Sequence, residues 1–279
     1  MAKDHGEGNF IWETIKTIFW ALIIAGVFRS LFFQPFWIPS GSMKDTLLVG
    51  DFLFVNKMAY GYSYASCPNI KIAKFGIDLD ARDICGFLDR DNKRVMGRAP
   101  ERGDVVVFRH PVTGEDYIKR VIGLPGDKIQ MIDSLLYING EPVKVEPNGT
   151  FVETYEPQGP QGRAPRCSNQ VVGIGGDCEK ERFTETLPNG VSHDILNIGY
   201  SPNADDTGVF EVPEGEYFMM GDNRDNSTDS RFSQARDGVG FVPFENLIGR
   251  ADRVIFSSGG RSLLFFWDWR KDRFFKPIA

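Results

Sequence analysis

Histidine is scarce in this chain of 279 residues: His5, His110 and His193 are the only copies. His5 falls in a polar N-terminal tail, His110 precedes Pro111 at the end of an apolar segment, and His193 lies in a Gly-, Pro- and Asn-rich region. A Ser-His-Asp triad would have to use one of the last two, and neither has catalytic company nearby in sequence. HExxH, phosphate-loop and GxGxxG motifs are missing, which removes the common metalloprotease and nucleotide-binding readings. The cysteines, Cys67, Cys85, Cys167 and Cys178, form no CxxC pair and have no histidine at zinc-finger spacing, so neither a metal nor a cofactor is expected. A basic excess is lacking too: 32 Lys and Arg against 38 Asp and Glu leave a net charge of −6, which gives no footprint for nucleic acid. Nor is there a long uncharged apolar run. The cleanest, Thr17 to Phe28, holds twelve residues, short of the ~20 needed to cross a bilayer core.

What is present has the composition of a globular protein, 42% apolar and 25% charged. Phenylalanine is abundant, with 23 copies, several near the two ends of the chain. Extra core and contact with a bilayer interface both remain open for those terminal clusters. The even cysteine count suits two disulfides in an oxidising compartment, against the alternative of four buried thiols. Sequential pairing, Cys67–Cys85 and Cys167–Cys178, is the expected one of three connectivities because it closes short loops.

Residues 1–10 read as a disordered tail. The segment 11–33 is long enough to span a membrane if Glu13, Lys16 and Arg29 snorkel toward its ends. Trp12, Trp20 and Trp37 suit the two interfaces. Phe32-Phe33-Gln34-Pro35 follows the run where a cleaved leader would carry small residues, so an uncleaved anchor is expected rather than a removed signal or a surface helix. Charge bias does not orient it.

Beyond Pro39 the chain reads as mainly antiparallel β, because almost no stretch keeps a 3.6-residue period. Strands are expected over Asp51–Lys57, Val105–Phe108, Tyr117–Gly123, Lys128–Ile138 and Glu216–Met220. Asn139-Gly140 is a strong hairpin turn, so a returning strand begins at Pro142-Val143. Gly240–Pro243 and Leu247–Phe256 are expected to pair with each other. Residues 146–207 read as a loop-dominated insertion with short strands near Gln170–Ile174 and Ser192–Ile198.

With histidine out of play, a Ser-Lys arrangement is the remaining route to a nucleophile. A serine hydroxyl needs a neighbouring base. Lysine serves only when burial lowers its pKa from ~10.4 toward neutrality. Lys119 lies inside the apolar strand Tyr117-Ile118-Lys119-Arg120-Val121-Ile122, on one face with Tyr117 and Val121. Ser42 lies in the small-residue loop Pro39-Ser40-Gly41-Ser42-Met43. Its amide and the Ser40 hydroxyl are suited to hold a developing oxyanion.

Four blocks in order make these residues more than a turn and a strand: Ile38-Pro39-Ser40-Gly41-Ser42-Met43, Arg102 to Phe108, Asp116 to Asp127, and Gly221-Asp222-Asn223-Arg224-Asp225-Asn226-Ser227-Thr228-Asp229-Ser230-Arg231. Together they resemble bacterial type I signal peptidase. The resemblance implies a β-sheet catalytic domain over 34–279, with a variable insertion at about 146–207, outside the cytoplasm on a single-pass anchor in the bacterial inner membrane. The tail 1–10 would then be cytoplasmic. It implies a serine endopeptidase that removes signal peptides from exported preproteins after small residues at −1 and −3. Ser42 would be the nucleophile, Lys119 the general base, Ser40 an oxyanion donor and Ser227 the group that orients Lys119. Asp229 and Arg231 would form a supporting ion pair. Phe36, Ile38, Met43, Leu47, Leu53, Val107, Tyr117 and Ile118 would line the pockets, and the substrate would bind extended along a strand edge. Asp45 departs from the proline usual in that family. The C-terminal aromatic and basic segment, Leu263 to Lys276, either rests at the bilayer interface or packs as a final strand. Two other functions compete: a self-cleaving repressor-type Ser-Lys protease, which the absence of a basic module disfavours, and a membrane-tethered β-domain that binds without catalysis.

Overall fold

The computed structural model describes residues 7–72, 77–88, 94–171, 173–259 and 265–278. Within them the chain runs α1 (Glu7–Leu31), β1 (Phe33–Trp37), β2 (Asp51–Asn56), β3 (Ile70–Ile72), β4 (Ile77–Leu79), α2 (Ala81–Cys85), β5 (Val105–Arg109), β6 (Asp116–Gly123), β7 (Lys128–Ile132), β8 (Leu135–Ile138), β9 (Glu141–Pro142), β10 (Lys144–Thr154), β11 (Asp177–Thr186), β12 (Ser192–Asn197), α3 (Pro202–Asp205), β13 (Phe210–Glu211), β14 (Glu216–Met220), β15 (Val242–Pro243) and β16 (Leu247–Ser257). The mainly antiparallel β reading holds.

Residues 7–10 of the expected disordered tail are helical, since the helix starts at Glu7; residues 1–6 lie outside the described set. The helix also stops at Leu31, because Phe33 already pairs with Asn56 in the sheet. Ile15, Ile18, Phe19, Leu22, Ile24 and Phe28 of α1 are all exposed, so the helix leaves its apolar surface uncovered by the body of the protein. No described helix is long and apolar enough to cross a membrane. Glu13 and Lys16, which pair at 3.3 Å, interrupt the apolar surface near its start.

The central sheet has seven antiparallel strands in the order β1-β2-β16-β5-β6-β14-β15. All five residues of β5 are buried, which explains the unbroken apolar run from Val105 to Phe108; Arg109 at its end is paired with Asp116. Their side chains alternate: Val105 and Val107 enter one core with Leu53 and Val254, while Val106 and Phe108 enter another with Val121 and Met219. A third core forms where Phe218 and Met220 meet Ile129, Leu136 and Ile138 of a four-stranded sheet, β13-β7-β8-β9.

Three sequence expectations change. Lys128–Ile138 is not one strand: Asp133 and Ser134, both at positive φ, turn the chain between β7 and β8. The Asn139-Gly140 turn forms as expected, with φ of 56° and 85°. Val242-Pro243 pairs with β14, whereas β16 lies between β2 and β5, so the two do not pair with each other. The insertion carries more strand than expected. β10, β11 and β12 form a three-stranded sheet; β12 is the strand expected near Ser192–Ile198, whereas Gln170–Ile174 adds no strand among its described residues. Its pattern escapes hydrophobicity because the buried residues of β11 include the charged Lys180 and Glu185.

Both expected disulfides form, Cys67–Cys85 and Cys167–Cys178. The C-terminal segment folds back on β16. Trp269 stacks on Phe256 with centroids 4.8 Å apart and Ile278 packs on the first core, while Phe265, Phe266, Trp267 and Phe275 stay exposed.

Candidate active site

The loop between β1 and β2 is pinned at its base by backbone hydrogen bonds from Ile38 N to Asp51 O (2.9 Å) and from Gly50 N to Ile38 O (3.0 Å). Its tip carries Ser42, which is 8% exposed. Pairing of Val106 with Lys119 between β5 and β6 sets the height of the lysine opposite this loop. Lys119 Nζ lies 2.8 Å from Ser42 Oγ and donates to the Ile118 carbonyl at 2.9 Å. Burial is the main influence on this amine and lowers its pKa from 10.5 to about 8, against the pull of the Asp229 and Asp222 carboxylates. A buried, partly neutral amine at hydrogen-bond distance from a serine hydroxyl is the geometry of general-base activation.

The segment after β14 fixes the other side of the loop. Asn223 donates from its backbone N to Ser42 O (3.1 Å) and from Nδ2 to Gly41 O (2.9 Å). Gly221 passes so close that an added Cβ would fall 2.2 Å from Ser227 Oγ and 2.5 Å from Ser42 O. Only glycine allows this approach. Ser227 is thus beside the serine loop and buried, but its hydroxyl makes no hydrogen bond among the described residues; Lys119 takes the Ile118 carbonyl as its second partner. Ser40 is exposed on the rim of the loop.

Asp229 and Arg231 form the expected pair, with two bonds of 2.9 Å. Asp229 also accepts from Gly221 N at 3.0 Å, and Arg231 donates to the Arg224 carbonyl at 2.5 Å. The pair therefore clamps both ends of the Gly221–Arg224 turn. Burial works to raise the Asp229 carboxyl, and Arg231 brings it below its usual range.

Of the eight expected pocket residues, Ile38, Met43, Leu47, Leu53 and Val107 gather in one core cluster, with Phe36 and Ile118 packed against it. Tyr117 is on the opposite face of the sheet, beside Phe108 and with its ring 5.6 Å from Lys119 Nζ. Met43, Leu47 and Leu53 are fully buried, so they back the surface from behind.

Sequence reasoning missed a second buried pair. Arg120 grips Asp222 through bonds of 2.9 and 2.8 Å, and Thr46 Oγ1 donates to the same carboxylate at 2.6 Å. Behind it, Glu185 accepts from Arg224 at 2.6 Å and lies 3.4 Å from His193 Nε2. An arginine alternating with apolar residues in a buried strand was the available signal, since a fully buried guanidinium requires a carboxylate. His193, one of the two candidates for a triad, belongs to this supporting cluster. His110 Nδ1 accepts from the Val112 and Thr113 amides at 3.1 and 3.2 Å. The hydroxyl of Ser42 is engaged by Lys119.

Residues 11–256 match the family described as "Signal peptidase, peptidase S26". The chain belongs to this signal peptidase family. Its activity is accordingly that of a serine peptidase cleaving signal peptides, which sets aside the repressor-type and binding-module readings. It is 39% identical to signal peptidase I of Rickettsia typhi over 280 residues, covering 96% of this chain and 88% of that protein. Signal peptidase I of Rickettsia prowazekii gives the same identity and the same shares. A solved signal peptidase I from Enterococcus faecalis V583 shares 27% identity, covering 55% of this chain and 97% of its own, with a TM-score of 0.29.

Proposed function

We propose that this signal peptidase works through Ser42 as nucleophile and Lys119 as general base, on preproteins held at a membrane surface. The observation that carries the reading is the buried 2.8 Å contact between Lys119 Nζ and Ser42 Oγ. Neutral Lys119 takes the hydroxyl proton as Oγ attacks the scissile carbonyl carbon. It returns that proton to the amine of the mature chain as the C–N bond breaks, leaving an ester on Ser42. Water then attacks the ester carbon and loses a proton to Lys119; the C–Oγ bond breaks as Lys119 returns that proton to Ser42 Oγ, which releases the signal peptide with a free C-terminal carboxyl group and restores the dyad. The Ser42 amide and the Ser40 hydroxyl hold the oxyanion. The buried hydroxyl of Ser227 steadies the amine as its hydrogen bond to the serine breaks and reforms. Asp229 and Arg231 keep the 221–231 turn in place.

The substrate binds extended, with small residues at −1 and −3 facing the apolar patch of Phe36 and Ile118, which Ile38 and Val107 back from beneath, and Tyr117 contributing at the strand end. α1 anchors the enzyme to the bilayer. Its apolar side chains Ile15, Ile18, Phe19, Leu22 and Ile24 are exposed, which suits contact with lipid. The aromatic C-terminal segment adds an interfacial contact, because Phe266, Trp267 and Phe275 stay exposed after Trp269 and Ile278 have packed. Two disulfides suit an extracytoplasmic catalytic domain facing the bacterial periplasm. Sharing a membrane with the preprotein raises the effective concentration of the cleavage site.

The test is cleavage of a preprotein with Ala at −1 and −3 by the wild type, Ser42→Ala and Lys119→Ala. Loss of cleavage in both variants is expected; full activity in either one overturns the dyad. Vesicle binding of the domain without α1, compared with and without residues 262–279, tests the aromatic contact, and unchanged binding would remove it.

A further inference from the structure

The β10–β11 hairpin touches the serine loop at three places, and these contacts carry an assignment beyond the dyad. Lys44, two residues past Ser42, directs its buried amine into the hairpin. It donates to Glu153 and, at 2.8 Å, to Gln158 Oε1. Gln158 Nε2 in turn donates to Glu153 Oε2 at 2.8 Å, and Lys180 donates to the other carboxylate oxygen. One carboxylate thus lies between two ammonium groups whose side chains are only 5% and 1% exposed. Removing a carboxylate from such a set leaves buried charge unpaired, so Lys44 is not free to leave.

Lys44 is also part of the turn that presents the nucleophile. Its N–H donates to Gly41 O at 3.3 Å, and a Cβ added at Gly41 would meet Lys44 Cε at 3.2 Å. The hairpin reaches the loop on either side of the serine as well. Gly159, at φ +65°, abuts the Pro39 carbonyl, where a Cβ would fall 2.3 Å from the oxygen. Arg182 pairs with Asp45 at 3.2 Å. Pro39, Lys44 and Asp45 therefore bracket Ser42, and Asn223 holds it from the opposite side.

We propose that Glu153 is a positioning residue for the nucleophile: by fixing Lys44 it keeps Ser42 in register with Lys119, which makes the β10–β11 hairpin part of the catalytic apparatus. This rests on the Ser42–Lys119 dyad proposed above. Glu153 acts on the placement of Oγ and not on substrate binding, so its effect belongs in kcat. Steady-state cleavage of a preprotein with Ala at −1 and −3 by the detergent-solubilised full chain tests this with Glu153→Gln, Lys44→Met and the double variant. Each single change is expected to lower kcat about 10- to 100-fold, the range for a misplaced reacting group. KM should stay within about twofold, and the pH inflection of kcat/KM should remain in place because Lys119 is untouched. The double variant should be no slower than the slower single variant, since both break one link. Wild-type kcat in the singles, an effect confined to KM, or losses that multiply in the double variant would overturn the proposal. Should Glu153→Gln fail to fold, Lys44→Met decides alone, because it leaves the Glu153–Lys180 pair intact. Ser42→Ala separates the two levels. If it is active, the dyad falls and this inference with it; if it is inactive while Lys44→Met keeps wild-type kcat, only the positioning role falls.

Discussion

The pH profile of kcat/KM follows directly from the burial of Lys119. Desolvation lowers the amine from 10.5 to about 8, with Asp229 and Asp222 acting in the opposite sense. Only the neutral amine accepts the serine proton, so the rate should track its neutral fraction. With a pKa of about 8, that fraction is roughly one tenth at pH 7 and nine tenths at pH 9 by the ordinary titration curve. kcat/KM is therefore expected to rise about tenfold between pH 7 and 9 and to fall about tenfold for each unit below 7. An unburied lysine at 10.5 would be neutral in only about 0.03% of molecules at pH 7, so burial raises the supply of base roughly 300-fold. The assay is initial-rate cleavage of a preprotein at concentrations well below KM, from pH 6 to 10, with enzyme stability checked at each pH. A flat profile from pH 6 to 9, or an inflection near 10.5, would refute the assignment of a buried lysine base.

Lys119 also costs stability, with a definite sign. Its folded pKa lies below its unfolded one, so the unfolded chain binds the extra proton between about 8 and 10.5, and stability rises with pH across that window. Lys119→Met should stabilise the fold at pH 7 by up to about 3 kcal/mol in urea titrations and lose most of that gain by pH 10; an equal effect at both pH values would contradict it. Asp222→Asn leaves Arg120 buried without its carboxylate and is expected to cost about 3–5 kcal/mol, read by the same titrations at pH 7. Gly221→Ala drives a Cβ to 2.2 Å from Ser227 Oγ and 2.5 Å from Ser42 O. Because the backbone must shift the nucleophile, kcat should fall ~100-fold. Replacing Cys167 and Cys178 with serine opens a loop with a sequence separation of 11 and should cost about 2–3 kcal/mol, measured against the wild type under oxidising conditions.

The parts of the fold legible in sequence are those whose local chemistry agrees with their tertiary role. β5 is an apolar run because both of its faces are covered. Asn139-Gly140 makes its turn because both residues accept positive φ. The insertion was illegible for the opposite reason. Its buried positions include Lys180, Glu185 and His193, charged or titratable groups that become buried only when residues far away in sequence complete them. The pairing of β15 depended on which edge of the sheet was open, and no local pattern records that. In the site, the four blocks located Ser42 and Lys119 by resemblance, and the apolar surroundings of Lys119 gave a physical reason for it. The Arg120–Asp222 pair spans 102 positions, so nothing near either residue announced the other.

That pair and its counterpart explain how a lysine among carboxylates keeps a lowered pKa. Asp222 and Asp229 are both fully buried and are the charges that raise the Lys119 pKa. Left bare, two buried anions would hold the amine protonated and remove the base. Each is instead gripped by its own guanidinium through two hydrogen bonds, Asp222 by Arg120 and Asp229 by Arg231. Paired charges present Lys119 with dipoles in place of net charge, so desolvation prevails and the amine titrates near 8. The same guanidiniums carry the geometry. Arg120 reaches Thr46 at 3.2 Å, in the loop that bears the nucleophile, and Arg231 reaches the 221–224 turn that grips it. Electrostatic shielding of the base and placement of the nucleophile are therefore one arrangement. Losing either arginine should disturb both the pH inflection and kcat, whereas losing Glu153 should disturb kcat alone.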